Sequence, residues 1–362
     1  MIYYVGIQNQ IRQTAGAKAP TDIMELCDKR GYHLLPITLP NEKWPKIVQN
    51  IWKYKQSIKF WKSVTNILKN GDILIYQHPL YVGRLLHKYI NKIKSNGVNL
   101  IVLIHDLETL RKGIEGAVNA NESANQKIEG SLFKKFDSVI CHNEKMKKYM
   151  INQGYSEKQL VSLEIFDYLH DCPVKEEIQR SENASICIAG NLLKTKSGYI
   201  YHIHDNGNNP ELDVNCYGLS FDTNVSNKNL IYHGSFPSAE LPRELTSDFG
   251  LVWDGPEASS CVGNIGEYLK YNNPHKASLY LSSGLPIIVW DQAAIADFVV
   301  SKKVGFTIAN LKDLQMKIDN ISEQEYEIIK KNTIEVSKLL RNGYFFYKAL
   351  DQAISNLKNR EA

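Results

Sequence analysis

The segment that decides the fold is FGLVWDGPEASSCVGNIGEYLKYNNPHKASLYLSSGLPIIVWDQAAIADFVV, residues 249–300. Its apolar runs at residues 249–253 and 287–290 predict two buried strands. Between them, a helix is predicted to begin after the asparagines before Pro274, with Pro274 as its first residue, and to end before Gly284. A helix that links two fully buried strands is typical of a parallel α/β sheet.

The first turn of this predicted helix carries His275 and Lys276. A helix N-terminus has partial positive charge and unpaired N–H groups, so that native sequences usually place acidic residues there. A bound phosphate would make the two basic residues favourable. The sequence predicts an anion site at this position, although a Lys276 side chain that points into solvent explains the pattern equally well.

A similar strand end occurs upstream. The apolar run at residues 184–189 ends at Gly190, Asn191 is a suitable cap, and Lys194 and Lys196 follow within a turn. Two such ends in one half of the chain predict a diphosphate site. The chain contains neither G-x-G-x-x-G nor G-x-x-x-x-G-K-[ST], which disfavours a hydride-transfer enzyme and a P-loop protein.

Other polar and aromatic residues flank these strand ends. Trp253 and Asp254 follow a buried strand and are candidates for a sugar or ribose contact, with helix capping as the alternative for Asp254. Asn273 either binds the donor or only caps a helix. In the loop QTAGAKAP, residues 13–20, Thr14 and Gly16 are small enough for the backbone to approach a diphosphate, but a flexible turn explains them nearly as well.

Strand and helix signals alternate along both halves of the chain, which predicts an α/β protein with two doubly wound parallel sheets. A polar, proline-bearing stretch near residues 168–184 is a suitable linker. Ligands of such sheets bind at the carboxyl ends of the strands, so we expect a cleft between two domains. The predicted strands cover residues 2–7, 72–76, 99–104, 138–142, 185–189, 212–217, 230–233, 250–253 and 287–290; the predicted helices include 21–30, 81–95 and one from residue 144.

Composition fits two ordinary globular domains. The 362 residues are 43% hydrophobic and 23% charged, and the formal net charge of +4 implies no general attraction to nucleic acid. Six scattered cysteines without a C-x-x-C pair are interpreted as small buried residues in a reducing compartment. The N-terminus enters a strand directly, and no run of about 18 apolar residues is present, so we expect a cytoplasmic protein.

Residues 43–71 depart from this pattern. They contain seven lysines, no acidic residue and three of the five tryptophans, Trp44, Trp52 and Trp61. A basic aromatic helix suits an anionic membrane surface. The alternatives are a helix whose aromatic side packs on its own domain, a homo-oligomer contact, or a single-stranded nucleic acid, which the lack of any nucleic-acid motif disfavours.

Several runs together resemble a known family. LIVLIHDLETLR, FDSVICHNEKMKKYM, EIFDYL, ICIAGNLLK, FGLVWDG, EYLKYNNPHKASLYLSSGLPIIVWDQAAIADFVV and RNGYFF are similar to bacterial galactofuranosyltransferases that build surface polysaccharides, in particular the β-1,6-galactofuranosyltransferase group. The resemblance covers nearly the whole chain. A looser similarity links it to the glucosyltransferases that modify streptococcal adhesins.

The resemblance implies a GT-B fold, with two Rossmann-like doubly wound domains facing a cleft. It implies an acceptor-binding domain at residues 1–170, a nucleotide-sugar-binding domain at residues 171–335 and a C-terminal helix, residues 336–362, that returns to the first domain. It also implies UDP-galactofuranose as donor and no metal or other cofactor, because Lys276, His275 and Lys194 would neutralise the leaving diphosphate. The acceptor would be a glycan or lipid-linked oligosaccharide, with an α-glucosyl group expected from the family likeness, used in polysaccharide or O-antigen synthesis at the inner face of the cell membrane.

Transfer from an α-linked donor to give a β-linkage inverts the anomeric carbon and requires one general base. His105, Asp106 and Glu108 follow the predicted strand 99–104, and Asp106 is the favoured base, with His105 second. A helix cap is the alternative for Asp106. Glu257 and Glu267 are ten residues apart, which departs from the glutamate spacing of retaining GT-B enzymes and favours inversion.

Two further interpretations remain open from the sequence. One keeps the fold and changes the donor to UDP-glucose or another hexopyranose, and the other is a non-catalytic GT-B subunit that supports a partner transferase. His202 and His204 lie in a polar stretch without a full set of ligands, so we predict no metal site.

Overall fold

The computed structural model describes residues 1–8, 15–111, 128–176, 179–181 and 183–361. The chain divides into two compact units. Unit 1 consists of Met1–Ile11, Ala19–Leu163 and Phe346–Ala362, and unit 2 consists of Arg12–Lys18 and Glu164–Phe345. The substrate-binding roles expected for the two halves of the chain stay predictions.

The described part of unit 1 contains a six-stranded parallel sheet with the strand order β2-β1-β3-β4-β5-β6. Its central strands are almost continuously apolar because helices and connections cover both faces. The strands are β1 (Ile2–Ile7), β2 (His33–Ile37), β3 (Ile73–His78), β4 (Asn99–Ile104), β5 (Ser138–Cys141) and β6 (Leu160–Ser162). The helices that group with this sheet are α1 (Ala15–Lys29, through its later turns), α2 (Lys46–Ile67), α3 (Leu86–Ser95), α4 (Glu108–Arg111), α5 (Glu144–Asn152) and α13 (Tyr344–Glu361).

The described part of unit 2 also contains a six-stranded parallel sheet, with the strand order β12-β11-β10-β7-β8-β9. The strands are β7 (Ser185–Asn191), β8 (Asp213–Leu219), β9 (Leu230–Gly234), β10 (Phe249–Val252), β11 (Ile287–Trp290) and β12 (Gly305–Ile308). The helices are α6 (Lys194–Ser197), α7 (Leu241–Glu244), α8 (Gly263–Tyr268), α9 (His275–Ser282), α10 (Ala296–Lys302), α11 (Leu314–Asp319) and α12 (Glu323–Arg341). The prediction of two doubly wound parallel sheets is confirmed.

Strands β2, β6 and β12 escaped prediction, and all three are edge strands. Edge strands are short and only partly buried, so their apolar signal is weak. Strand β2 also contains Pro36, which lowers the strand signal and is tolerated at an edge, where a ladder hydrogen bond is not needed.

Helix α1 begins at Ala15, six residues before the predicted start. The prediction that residues 13–20 form a loop is therefore wrong for the described residues from Ala15 onward, and Gly16 lies inside the helix. Alternating alanines in this stretch favour helix despite Gly16 and Pro20. Thr14 lies outside the described residues.

Helix α2 contains most of the basic aromatic segment, and its two halves differ. Trp61 is fully buried, and its indole N–H donates to the carbonyl of Val82 at 2.7 Å. Earlier in the helix, a stripe of apolar side chains is exposed: Ile47 at 74%, Ile51 and Tyr54 at 52% each, and Val48 at 44%. The packed-helix interpretation therefore holds for the second half of α2, and the first half presents an apolar surface.

Two further features bear on the environment of the protein. All six cysteines are buried and unpaired, as expected for small core residues. Among the described residues, no helix has both the length and the apolar character needed to cross a bilayer.

Candidate active site

Three segments of unit 2 meet beside the carboxyl ends of β7 and β10. The N–H of Gly255, after β10, donates to the carbonyl of Lys196, after β7, at 2.7 Å. Lys276, in the first turn of α9, donates to the carbonyl of Trp253 at 2.7 Å. The two predicted strand ends and the predicted helix start thus form one cluster, which we call the basic cluster: Lys196, Tyr199, Asp254, His275 and Lys276.

Lys276 is paired inside the basic cluster. Its ammonium lies 2.8 Å from Asp254 Oδ1, and the two side chains are only 10% and 7% exposed. Burial is the main cause that lowers the pKa of Lys276, and the charge of Lys196 lowers it further, whereas Asp254 opposes the shift. The anion paired with Lys276 in this structure is therefore the carboxylate of Asp254, which acts as its counterion.

The turn after β7 supplies two lysines with different surroundings. Lys194, the predicted diphosphate ligand, is 63% exposed and forms a 2.6 Å ion pair with Asp222. This pairing raises the pKa of Lys194. Lys196 lies close enough to Lys276 to lower the pKa of that lysine, and no carboxylate within the described ranges pairs with it. The structure favours Lys196 over Lys194 as the cation that this turn contributes to the site.

His275 is a neutral residue rather than a second cation. Its ring packs on Phe166 with the centroids 4.6 Å apart. Burial, with a smaller contribution from the charge of Lys18, lowers the pKa of His275 to about 4. The prediction that His275 carries positive charge toward a diphosphate is therefore corrected: at neutral pH it offers a hydrogen bond. Its Nδ1 is buried without a hydrogen-bond partner among the described residues.

Three other predicted residues have defined structural roles. Trp253 is fully buried, and its indole N–H donates to the carbonyl of Glu257 at 3.0 Å, so its side chain belongs to the core and the predicted sugar contact is corrected. Asn273 donates to the carbonyl of Glu164 at 2.9 Å, and Pro274 rather than an asparagine occupies the N-cap position of α9. Asn191 accepts from the N–H of Leu193 at 3.1 Å, which fixes the turn after β7.

Two residues in this region were missed by the sequence analysis. Lys18 is buried, donates to the carbonyl of Leu169 at 2.6 Å and lies 4.4 Å from the ring centroid of Tyr168. Tyr199 is fully buried, and its hydroxyl has no hydrogen-bond partner among the described residues. Burial, and next the charge of Asp254, raises the pKa of Tyr199. A single lysine among alanines and a tyrosine in an apolar run carry no distinctive sequence signal.

Gly190 and Gly218 are paired across β7 and β8 at the carboxyl edge of the sheet. Gly190 has φ +129° and Gly218 has φ +145°, a region that side chains rarely adopt. A Cβ on Gly218 would lie 1.7 Å from the carbonyl oxygen of Gly190. The sequence analysis placed Gly190 at the strand end of the diphosphate site, and this donor-binding role stays a prediction.

The predicted base lies in unit 1, at the carboxyl end of β4. His105 Nε2 lies 2.8 Å from Gln77 Oε1, and Gln77 uses its amide NH₂ to donate to the carbonyl of Val5 at 3.3 Å. Because the Gln77 oxygen is an acceptor, His105 Nε2 carries the hydrogen. In the neutral ring, Nδ1 of His105 is then the atom that can accept a proton.

Asp106 and Glu108 occupy the turn that follows His105. Asp106 is about one-third exposed, with a side-chain exposure of 34%, and its Oδ2 lies 3.2 Å from an Arg111 guanidinium nitrogen. The N–H of Glu108, at the start of α4, donates to Glu129 Oε1 at 2.7 Å. These three predicted residues follow one strand as expected, and His105 and Asp106 each carry a group that can accept a proton.

The described residues contain no group of three or more His, Cys, Asp or Glu side chains arranged to hold a metal ion. The basic cluster combines two lysines with one carboxylate, which leaves net positive charge for an anionic ligand. Chemically, unit 2 can stabilise an anion, and unit 1 can remove a proton from a hydroxyl.

Two protein-family models and several known proteins match this chain. The model described as Glucosyltransferase 3-like, N-terminal domain, matches residues 2–165, and the corresponding C-terminal domain model matches residues 186–353. The chain is 31% identical to β-1,6-galactofuranosyltransferase WbbI of Escherichia coli (strain K12), over 99% of this chain and 100% of the relative. It is 26% identical to Glucosyltransferase 3 of Streptococcus gordonii, over 78% and 79% of the two chains.

Among solved structures, the fold resembles that of the sucrose-phosphate synthase tll1590 from Thermosynechococcus elongatus. The TM-score is 0.61, the sequence identity is 11%, and the match covers 99% of this chain and 98% of the other. At this identity the likeness concerns the fold, which is of the GT-B type. The match of both domain models and the full-length match to WbbI show that the chain is a glycosyltransferase and belongs to the Glucosyltransferase 3-like family.

Proposed function

We propose that this glycosyltransferase moves galactofuranose from UDP-galactofuranose to a glycosyl acceptor, with inversion of the anomeric carbon and without a metal. The observation that carries the proposal is the 31% identity to a β-1,6-galactofuranosyltransferase over 99% of the chain. The acceptor class we propose is an α-glucosyl group on a lipid-linked oligosaccharide, in the synthesis of a surface polysaccharide or O-antigen.

The basic cluster of unit 2 is the proposed site of the donor diphosphate. Lys196 and Lys276 outweigh the single charge of Asp254, and the first turn of α9 has no side-chain cap, so its N–H groups can meet an anion. Negative charge grows on UDP as the glycosidic bond breaks, and preorganised cations stabilise that charge. Neutral His275, whose Nδ1 has no hydrogen-bond partner among the described residues, is suited to a hydroxyl or phosphate oxygen contact.

The turn after β4 is the proposed source of the base. In an inverting transfer, the base takes the proton of the acceptor hydroxyl while that oxygen attacks the anomeric carbon, and UDP leaves with the bonding electron pair. Asp106 is our first choice because its carboxylate is partly exposed, and His105 is second through Nδ1. No nucleophile of the enzyme is required.

The first test is a donor screen with the purified protein. UDP-galactofuranose, generated in place by a mutase, is compared with UDP-glucose, UDP-galactose and UDP-N-acetylglucosamine on α-glucosyl acceptors, with and without EDTA. We expect transfer from the furanose donor alone, a β-linkage by NMR, and no effect of EDTA. Transfer from a pyranose donor would overturn the donor assignment, and loss of activity in EDTA would overturn metal independence.

The base is tested with Asp106→Asn and His105→Asn. Removal of a general base costs about 10²- to 10⁴-fold in rate, so the variant of the true base should lose kcat by this factor and keep its affinity for UDP. Glu108→Gln is the neighbouring control, for which a smaller loss is expected. Wild-type kcat in both Asp106→Asn and His105→Asn would remove this turn from the mechanism.

A second candidate function is glucosyl transfer from UDP-glucose. It is favoured by the match of both Glucosyltransferase 3-like domain models and by the 26% identity to Glucosyltransferase 3. The higher identity and fuller coverage of the match to WbbI support galactofuranose as our first choice of donor sugar. The donor screen separates the two functions directly.

We further propose that the exposed first half of α2 rests on an anionic lipid surface at the inner face of the membrane. Ile47, Ile51 and Tyr54 are spaced so that they share one helix face, and each is at least half exposed. Lysines accompany them along residues 43–62, and no acidic residue occurs in residues 43–71. Apolar insertion together with attraction of lysines to anionic headgroups is the usual basis of interfacial helix binding.

Vesicle co-sedimentation tests this surface. We expect the wild-type protein to bind vesicles that contain phosphatidylglycerol and to bind pure phosphatidylcholine weakly, with salt reducing the difference. Ile47→Asp/Ile51→Asp should abolish binding, whereas Val300→Asp/Met316→Asp, at comparably exposed positions of unit 2, should not. Vesicle binding of Ile47→Asp/Ile51→Asp equal to that of the wild type would exclude α2 as the membrane contact. Concentration-dependent self-association that is lost only in this α2 variant would instead indicate a homo-oligomer contact.

A further inference from the structure

A buried carboxylate lies beneath the turn that carries the proposed base. Glu129 is 3% exposed, and its Oε1 accepts the N–H of Glu108 at 2.7 Å. The same oxygen lies 3.2 Å from His78 Nε2. Glu129 therefore links the first residue of α4 to the last residue of β3 from below the protein surface.

His78 makes the second connection to the same turn. Its side chain is 1% exposed, and its ring meets Phe133 edge to face with the centroids 4.8 Å apart. The Glu129 carboxylate can only accept, so His78 Nε2 donates to it. The carbonyl of His78 accepts the N–H of His105 at 2.8 Å. One pair of buried residues thus holds both ends of the stretch from His105 to Glu108.

The backbone of Glu129 is also fixed. The hydroxyl of Tyr155 donates to its carbonyl oxygen, and Gln159 donates to the carbonyls of Phe133 and Phe136 further along the same segment. Burial raises the pKa of Tyr155, which therefore remains protonated and a donor. The carboxylate consequently has a rigid support and cannot follow a displaced turn without loss of these bonds.

Burial of this carboxylate costs hydration free energy, which its hydrogen bonds must offset. A buried carboxylate loses several kcal/mol of hydration, and an apolar side chain of similar volume would often pack at least as well. What the carboxylate adds is direction, because a charged acceptor fixes an N–H donor in distance and angle. The donor here belongs to the turn that carries His105 and Asp106.

We propose that Glu129, supported by His78, is a positioning residue that sets the orientation of His105 and Asp106 for removal of the acceptor proton. The inference deepens the proposed function and rests on it, since it assumes that this turn supplies the base. Glu129 has no contact with substrate in this role and acts through the backbone of Glu108. Displacement of a catalytic group by about 1 Å can cost about 10²-fold in rate.

The test compares Glu129→Ala, Glu129→Gln and a matched control, Asp137→Asn. Asp137 likewise accepts a backbone N–H and pairs with a basic side chain, but at the start of β4 rather than after its end. Its Oδ2 accepts the N–H of Leu100 at 2.9 Å, and its Oδ1 pairs with Lys94 at 2.6 Å. Glu129→Gln retains an oxygen acceptor for Glu108 and nearly the same volume. It therefore keeps the proposal testable if Glu129→Ala does not fold.

We expect kcat to fall about 100-fold in Glu129→Ala and about tenfold in Glu129→Gln, with UDP affinity and the donor KM unchanged. Asp137→Asn should lower the melting temperature to a similar degree and leave kcat within about twofold. Partial rescue by glutamine, at equal folded fraction, distinguishes positioning from loss of stability. If kcat of both Glu129 variants matches the wild type while Asp106→Asn or His105→Asn is inactive, the positioning role is wrong and the proposed function stands. If the Asp106 and His105 variants are also fully active, the base assignment itself has failed.

Discussion

Lys276 and Asp254 form a 2.8 Å ion pair at the N-terminus of α9, and both side chains are largely buried. Lys276, for which the sequence predicted an external anion, thus has Asp254, which follows β10, as its counterion. A donor diphosphate would add a second negative group beside this pair, and Lys196 is the nearby cation left to balance it. The pair therefore sets the charge of the site before any ligand binds.

The first prediction concerns that pair. Lys276→Met leaves Asp254 buried without its cation, and removal of one partner from a buried pair costs about 3–5 kcal/mol. The double variant Asp254→Asn/Lys276→Met should recover most of this stability. UDP should bind more weakly to Lys276→Met than to the wild type, and the double variant should not restore this affinity. Chemical denaturation and UDP titration measure the two quantities. A double variant that is no more stable than Lys276→Met would mean that the pair is not energetically coupled.

The second prediction separates the two lysines after β7. Lys196→Gln should weaken UDP binding about tenfold, because a hydrogen bond to a charged group contributes about 1.5–3 kcal/mol. Lys194→Gln should change it by no more than about twofold, since Lys194 is exposed and already paired with Asp222. Isothermal titration of both variants with UDP checks the order. The reverse order would restore Lys194 as the phosphate ligand.

The third prediction is a pH dependence of stability. The pKa of His275 falls to about 4 on burial, against an ordinary value of 6.5. Between these values the unfolded chain binds a proton that the folded chain does not, so stability is full above pH 6.5 and is lost as the pH falls toward 4. The contribution is about 3 kcal/mol at most. In thermal melts from pH 7.5 to 4.5, His275→Gln should flatten the acid decline, and His202→Gln, at an exposed position, should leave it intact.

The fourth prediction tests the structural role of Trp253. Trp253→Phe removes the hydrogen bond to the Glu257 carbonyl and leaves a small cavity, which together should cost about 2 kcal/mol of stability. The donor KM should stay unchanged, because the indole is fully buried in the core. Steady-state kinetics, run at a temperature where the variant is folded, measure the donor KM. A selective rise in donor KM would show that the ring contacts the sugar after all.

The sequence allowed most of the fold to be predicted, because buried parallel strands carry a strong signal. The bounds of β1, β4 and β11 agree with prediction residue for residue. Three of the four edge strands, β2, β6 and β12, were missed because such short strands lack a long apolar run. The early start of α1 was missed because Gly16 and Pro20 outweighed the alanines between them.

The site was predicted less completely, for a different reason. Strand ends identify neighbourhoods, so Lys276, Asp254 and the turn after β7 were correctly grouped. Sequence spacing does not say which of two nearby lysines is already neutralised, nor that His275 is desolvated and uncharged. Charge state depends on burial and on partners distant in the chain. The hydrogen bond that Glu129 accepts from the N–H of Glu108, 21 residues earlier, also depends on the fold and leaves no signal in the sequence.

The Gly190–Gly218 pair restricts which residues this edge of the sheet can hold. One carbonyl oxygen, 1.7 Å from where a Cβ on residue 218 would stand, rejects every side chain by size alone, whatever its polarity or charge. A larger residue at position 218 would therefore push the two strands apart before it altered any ligand contact. Under the proposed function, changes in sugar specificity should be sought at positions outside this strand pair, where a side chain is already present.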